Sequence, residues 1–223
     1  MDCSEIRYDA YAKLRIDTAM STTSTVHVVD DDAAMRDSLR VLLEAAGFVV
    51  RAFDSAGALL AAAPTAVGCV LTDVRMPDID GLALLRRLRE QGISLPVIVM
   101  TGQGDIAIAV QAMKAGAVDF LEKPFTDDAL LEAIGRALEQ GERLREIAAT
   151  SAEAASRLAT LTPREREVFD LLVTGLPNKA IANTLGASPR TIEVHRARVL
   201  EKLKAHSLPD LVRLLLAAGS GAT

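Results

Sequence analysis

Five polar residues hold the chemistry that this sequence is able to do. Asp30 and Asp31 end the run TVHVVDD, Asp73 ends GCVLTD, Thr101 ends PVIVMT, and Lys123 follows VDFLE. Each stands at the carboxyl end of a short apolar run, which is where ligands sit in an open α/β sheet. Three carboxylates gathered in one crevice repel one another, and a cation relieves the repulsion. Hard oxygen ligands from one or two carboxylates, completed by water, describe a Mg²⁺ site. A carboxylate beside such a metal can attack phosphorus and form an acyl phosphate, and Asp73 is the central candidate. Lys123 would then counter the charge growing on the phosphoryl oxygens, and the Thr101 hydroxyl would donate a hydrogen bond to one of them. A single Asp at a strand end is more often a turn or cap residue, so the weight lies in the ordered set. Asp32 either begins the loop or caps the next helix, and is left out of the ligand set.

The elements that must position these groups alternate. From Thr25 the chain reads TVHVVD, AMRDSLRVLLEAAG, FVVRAF, SAGALLAAA, GCVLTD, GLALLRRLREQG, PVIVMT, DIAIAVQAMKAG, VDFLEKP and DDALLEAIGRALE, so strand and helix take turns five times. Near-continuous apolar strands separated by helices of about 8 to 15 residues imply a parallel sheet covered on both faces. The expected fold class is α/β: a (βα)₅ doubly wound domain over residues 25–142. The helix from Asp127 runs on into a charged, strand-free segment, which gives a helical linker over residues 143–157. Beyond it only helical periodicity remains, broken at LTPRE, LPNKA, LGASPR and HSLPD, so residues 158–223 are expected to form a small all-α unit of four helices. Thr162 with Glu165 reads as a capping box, with Pro163 at the favoured first helical position, and Ser188-Pro189 starts another helix the same way.

Charge divides along the same boundary. Residues 20–143 hold 11 Lys and Arg against 18 Asp and Glu, a net of −7, whereas residues 157–214 hold 10 against 6, a net of +4. An acidic module joined to a basic one suggests that only the second meets a polyanion. In that basic part a helix, the short turn GAS and a second helix make the geometry that reads duplex DNA. With no Trp in the chain and Phe169 as the only Phe after the linker, base stacking on single strands is disfavoured.

Half the residues are hydrophobic and a quarter charged, which excludes a disordered polymer. No apolar stretch reaches the roughly 18 residues of a membrane span, and the first residues mix Asp2, Glu5, Arg7, Asp9, Lys13 and Arg15 with no apolar core of a secretory signal. A cytoplasmic protein without membrane attachment is expected, with residues 1–24 as a disordered extension. Cys3 and Cys69 have no metal-ligand spacing and carry no framework.

The motifs VVDDD, LTDVRMPDIDG, VIVMTGQGD and GAVDFLEKPF resemble the receiver domain of two-component response regulators. The resemblance implies that Asp73 is the phosphoacceptor, that Asp31 and Asp73 bind Mg²⁺ with the carbonyl of Arg75, and that Asp30 supports the metal, often through water. It implies that Lys123 pairs with the phosphoryl group and precedes a cis peptide to Pro124. Thr101 and Phe120 match a switch pair whose hydroxyl and ring move together on phosphorylation. The segments GLPNKAIA and SPRTIEVHRARV resemble the LuxR-type helix-turn-helix, and the chain from about Thr25 onward resembles the FixJ subfamily of response regulators. On that match Glu193, Val194, Arg196 and Ala197 lie on the groove-facing early turns of the recognition helix. Glu193 could accept from a cytosine amino group, and Arg196 could reach guanine or a phosphate. Lys179, Arg190, Thr191, Arg198 and Lys202 grip the backbone, which fixes register without reading sequence. His195 is a packing or phosphate residue rather than a metal ligand.

These readings combine into an expectation. A sensor histidine kinase phosphorylates Asp73, and Val110, Met113 and Lys114, which share a helical face at i, i+3 and i+4, form a symmetric homodimer. The paired basic domains then bind double-stranded promoter DNA and regulate transcription with RNA polymerase, in the direction of activation. The chain is not expected to be an enzyme beyond accepting the phosphoryl group and slowly losing it. An enzyme of the haloacid-dehalogenase type would need a second carboxylate two residues after the nucleophile, and position 75 is Arg. A small-molecule-sensing LuxR regulator would lack the Asp, Thr, Lys series. The alternative is a phosphorylation-independent DNA-binding transcription factor with a degenerate receiver.

Overall fold

The computed structural model describes residues 24–62, 64, 67–102 and 105–219. The expectation of disorder for residues 1–24 falls, Ser24 apart, outside them. The chain alternates β1 (Thr25–Val29), α1 (Ala33–Ala45), β2 (Val49–Phe53), α2 (Ala56–Ala61), β3 (Cys69–Asp73), α3 (Gly81–Glu90), β4 (Val97–Thr101), α4 (Ile106–Lys114) and β5 (Asp119–Glu122). Helix α5 (Asp127–Ala159) follows, then α6 (Pro163–Leu172), α7 (Asn178–Leu185), α8 (Pro189–Leu203) and α9 (Leu208–Gly219). Two compact units divide within α5, between Glu142 and Arg143.

The first unit is the doubly wound α/β fold. Its five strands are all parallel, in the order β2-β1-β3-β4-β5. Every residue of β3 and β4 is buried, as both faces of a covered parallel sheet require. On one face Val26, Val28, Leu71, Ile98 and Met100 pack against Leu39 and Leu43 of α1 and Leu130, Leu131 and Ile134 of α5. On the other, Val29, Val70, Val97 and Val99 meet Leu59 of α2 and Leu84, Leu85 and Leu88 of α3. Cys69 is fully enclosed, and burial pushes its thiol up to about 12. His27 is fully buried too, with neither ring nitrogen hydrogen-bonded. Burial, helped by Arg51, holds its pKa down to about 4. Helix α2 has six residues, shorter than the expected helices, and ends ahead of Pro64, which cannot continue it.

The chain order reverses at β1 and β3, and there the carboxyl ends of neighbouring strands diverge to leave a crevice. The register sets Val29 beside Thr72 and Asp73 beside Met100, so the residues that leave β1, β3 and β4 emerge on one rim.

In the second unit, Val168, Phe169, Leu172, Ile181, Ile192, Val199, Leu203 and Leu211 form the core with Leu158 of α5. Thr162 and Glu165 make both halves of the capping box, with Pro163 as the first residue of α6. Ser188 caps α8 by accepting from the Thr191 N–H, with Pro189 next in line. Gly186, at φ 63°, closes α7 in the left-handed conformation that a residue without Cβ adopts freely.

Candidate active site and nucleic-acid interface

Asp30 follows β1, is almost wholly buried, and is held from three directions. Its Oδ1 accepts from the Asp32 N–H at 2.9 Å, its Oδ2 from Lys123 Nζ at 3.0 Å, and its carbonyl from Arg36 Nη1 at 2.6 Å. Asp73 ends β3 and is 8 % exposed. Its Oδ1 accepts from Lys123 Nζ at 2.8 Å and its Oδ2 from the Arg75 N–H at 2.9 Å. One ammonium thus bridges two carboxylates that lie 43 positions apart in sequence. Burial works against the Lys123 charge, but its hydrogen bonds to Asp73 and Asp30 outweigh that and hold its pKa above the ordinary value. The Lys123–Pro124 peptide is cis.

Asp31 is exposed. Among the described residues no three His, Cys, Asp or Glu side chains are arranged as a metal-holding group, because Lys123 stands between Asp30 and Asp73 and Asp31 turns outward. Asp32 is the N-cap of α1, its Oδ1 accepting from the Ala34 N–H at 2.8 Å.

Thr101 ends β4 with its side chain buried, and its carbonyl accepts from the Lys123 N–H at 2.8 Å. On its outer side lies a groove of about 440 Å³ lined by Thr101, Val110, Met113, Lys114 and Phe120 among others. Val110, Met113 and Phe120 are each nearly half exposed, so the Phe120 ring lies at a surface instead of in the core. The sequence reading missed two contacts of the crevice. Arg36 carries no motif, and its reach back to Asp30 depends on the first turn of α1. The Arg75 guanidinium pairs with Asp105 at 2.5 Å, across 30 positions that no local pattern links.

In the second unit Arg190, Thr191, Glu193, Val194, Ala197 and Arg198 of α8 and Lys179 of α7 are exposed. Arg196 is half-buried and donates to Asn178 Oδ1 at 3.3 Å. His195 is half-buried, with its Nδ1 unpartnered. Lys202 differs from the other cations assigned to the backbone. Its Nζ lies 2.6 Å from Oε2 of buried Glu165 and 3.3 Å from the Thr160 carbonyl, so it ties α8 to the start of α6. The Lys202 hydrogen bond and the Thr162 N–H pull the Glu165 carboxyl down to about 2.

Residues 26–135 match the response regulator receiver domain, and residues 159–215 match the bacterial regulatory proteins of the luxR family. The Transcriptional regulatory protein FixJ of Bradyrhizobium diazoefficiens is 52 % identical over 201 residues, covering 90 % of this chain and 98 % of that one. The chain is a FixJ-type response regulator.

The solved structure of full-length FixJ from B. japonicum is 52 % identical, with a TM-score of 0.55 over 88 % of this chain and 97 % of that one. The response regulator StyR aligns at a TM-score of 0.76 and 40 % identity, covering 86 % and 98 %. This FixJ-type regulator therefore joins a receiver to a LuxR-type DNA-binding domain and acts in transcription. A protein of this family works between a histidine kinase and DNA, and receivers bind Mg²⁺ at their acidic pocket. Among the described residues no helix is long and apolar enough to cross a membrane.

Proposed function

We propose that Asp73 is the phosphoacceptor of a transcription activator that works in the cytoplasm. An Asp73 carboxylate oxygen attacks the phosphorus of a phosphohistidine on a sensor histidine kinase. The P–N bond breaks as the P–O bond forms, and the imidazole leaves with the electron pair. The observation that supports this reading is the Lys123 ammonium, 2.8 Å from Asp73 Oδ1 and poised beside the oxygens that would receive the phosphoryl group. The buried Thr101 hydroxyl, at the next strand end, would donate to one of them.

The crevice also fits a divalent cation. Two buried carboxylates share one ammonium, which leaves the pocket net negative, and the available donors are hard oxygens. Asp30, Asp31, Asp73 and the Arg75 carbonyl would hold Mg²⁺, which when bound offsets the negative charge of the phosphoryl group. Asp31, already at the surface, would turn inward. Slow autodephosphorylation resets the mark.

The added charge beside Thr101 favours the receiver conformer in which that hydroxyl and the Phe120 ring move inward. The groove carrying Val110, Met113 and Lys114 changes with it and becomes the face of a homodimer. Two basic domains then engage promoter DNA together, with RNA polymerase as the downstream partner. On α8, Glu193, Arg196 and Ala197 face base edges, and the exposed Val194 suits a thymine methyl. Lys179, Arg190, Thr191 and Arg198 hold phosphates.

The test is incubation of the full chain with Mg²⁺ and acetyl phosphate, followed by intact mass, sedimentation and DNA titration at several salt concentrations. Wild type is expected to gain one phosphoryl mass, dimerise and bind DNA more tightly, with affinity falling steeply in salt. Asp73→Asn is expected to do none of the first three. Equal labelling of both proteins, or a flat salt response, counts against the reading.

A further inference from the structure

Asp105 stands at the N-cap position of α4, where an aspartate ordinarily accepts hydrogen bonds from the first free N–H groups of the helix. Here its side chain makes no capping bond. The carboxylate, 18 % exposed, goes instead to Arg75, with Oδ2 2.5 Å from Nη2. The pair passes over Gly102, where an added Cβ would lie 3.5 Å from the Asp105 oxygen and 4.0 Å from the Arg75 nitrogen. Gly102 directly follows Thr101. Arg75 therefore holds two parts of the receiver at once: its main-chain N–H binds Asp73 Oδ2 at 2.9 Å, and its side chain binds the residue that opens α4.

We infer that Asp105 is a positioning residue with two alternative partners: it holds Arg75 while Asp73 is unmodified, and caps α4 once Asp73 is phosphorylated. This rests on Asp73 being the phosphoacceptor. A phosphoryl group brings close to two negative charges and three acceptor oxygens, and Arg75 is the cation already attached to that carboxylate through its backbone. Guanidinium prefers phosphoryl oxygens in a paired, charge-assisted geometry. Its other partner would lose it, since the Arg75 side chain is 69 % exposed and free to turn. The carboxylate so released reaches the Ala107 N–H once Asp105 turns from ψ 41° to the extended backbone of a capping residue, whereas the Ile108 N–H already donates to the Asp105 carbonyl at 2.9 Å. An exposed ion pair and an N-cap are of similar strength, so a modest change in charge at Asp73 suffices to choose between them. The first turn of α4 is then rebuilt, and α4 carries Val110 and Met113 of the groove.

Amide hydrogen exchange at Ala107 in the full chain reads this choice, since the Ile108 amide is already bonded to the Asp105 carbonyl. In the unmodified state, Arg75→Ala frees Asp105 to cap, and Asp105→Asn keeps a capping side chain while removing its charge. Both are expected to slow exchange at this amide about fivefold relative to wild type, the effect of one cap. Asp105→Ala, which can neither pair nor cap, is expected to show no slowing, and Arg75→Lys to stay near wild type. After acetyl phosphate treatment, wild type is expected to reach the protection of unmodified Arg75→Ala. Exchange in Arg75→Ala and Asp105→Asn equal to that of wild type overturns the inference, as does an unchanged pattern in wild type that has gained the phosphoryl mass. A wild type that gains no such mass overturns the phosphoacceptor reading and the release with it. The unmodified variants still report separately whether Asp105 chooses between two partners.

Discussion

Lys123 and Lys202 look alike in the sequence, as cations close to the ends of their elements, and the fold gives them unlike work. Lys123 bridges the acids of the crevice, where on the proposed function its charge would face incoming phosphoryl oxygens. Lys202 pairs with buried Glu165 and reaches the Thr160 carbonyl, so its charge already has a partner within the domain. Replacing it by Met is expected to destabilise the DNA-binding domain by about 2 kcal/mol, the scale of a hydrogen bond to a charged group. A urea melt of the full chain followed in the second transition measures this. The salt dependence of DNA affinity should keep its slope in Lys202→Met, whereas removal of Arg198, which we propose holds a phosphate, is expected to lower that slope by about one. Composition and helical spacing could not separate Lys202 from Arg198, because both lie on a basic helix. The choice is made by a glutamate 37 positions away.

At the scale of elements, Gly81 decides how closely α3 approaches β3, the strand that ends in Asp73. Its N–H donates to the Val74 carbonyl at 3.0 Å, and a Cβ there would lie 2.4 Å from the Asp73 carbonyl oxygen. The obstacle is space and not dihedral angle, and the contact is with backbone, so strand or helix must move. Gly81→Ala is expected to cost about 1 to 3 kcal/mol and to slow acetyl phosphate labelling at Asp73, read by urea titration and by the time course of mass gain. The layout of strands and helices was legible in the sequence because β3 and β4 are buried on both faces and so read as unbroken apolar runs. The capping box at Thr162 and Glu165 was legible because both partners lie within one turn. The acids at the strand ends were legible as an ordered set. Their division of roles was not: Asp30 is buried and Asp31 exposed because successive residues leaving a strand point opposite ways, and which one points inward depends on the register of β1. The Arg75–Asp105 pair was invisible for the same reason as Lys202, being a meeting of loops that only the completed sheet brings together.

The two units of the molecule answer acid differently. Burial keeps His27 neutral down to about pH 4 in the folded receiver, while the unfolded chain protonates near the ordinary value of 6.5. The unfolded state therefore binds the extra proton between those values, and receiver stability falls as pH drops from about 6.5 to about 4, by up to about 3 kcal/mol. Below that range this group adds nothing further. Glu165 in the DNA-binding domain is the opposite case, with its folded pKa lowered to about 2. Its contribution is complete above the ordinary carboxylate value near 4.5 and is lost as pH falls from there towards 2. On acidification the receiver is expected to weaken first. Urea midpoints taken between pH 7 and pH 4 check this, and His27→Leu should flatten the receiver's curve over that interval.

The sulfur enclosed on β3 has a practical use that follows from its position. Cys69 lies on the same five-residue strand as Asp73, and with its thiol shielded and held protonated it meets an alkylating reagent only when that strand comes away from its neighbours. The rate at which Cys69 is capped is therefore a clock for the opening of the sheet beneath Asp73. Run with and without acetyl phosphate, that clock would report whether the proposed modification of Asp73 changes how often the scaffold beneath it opens.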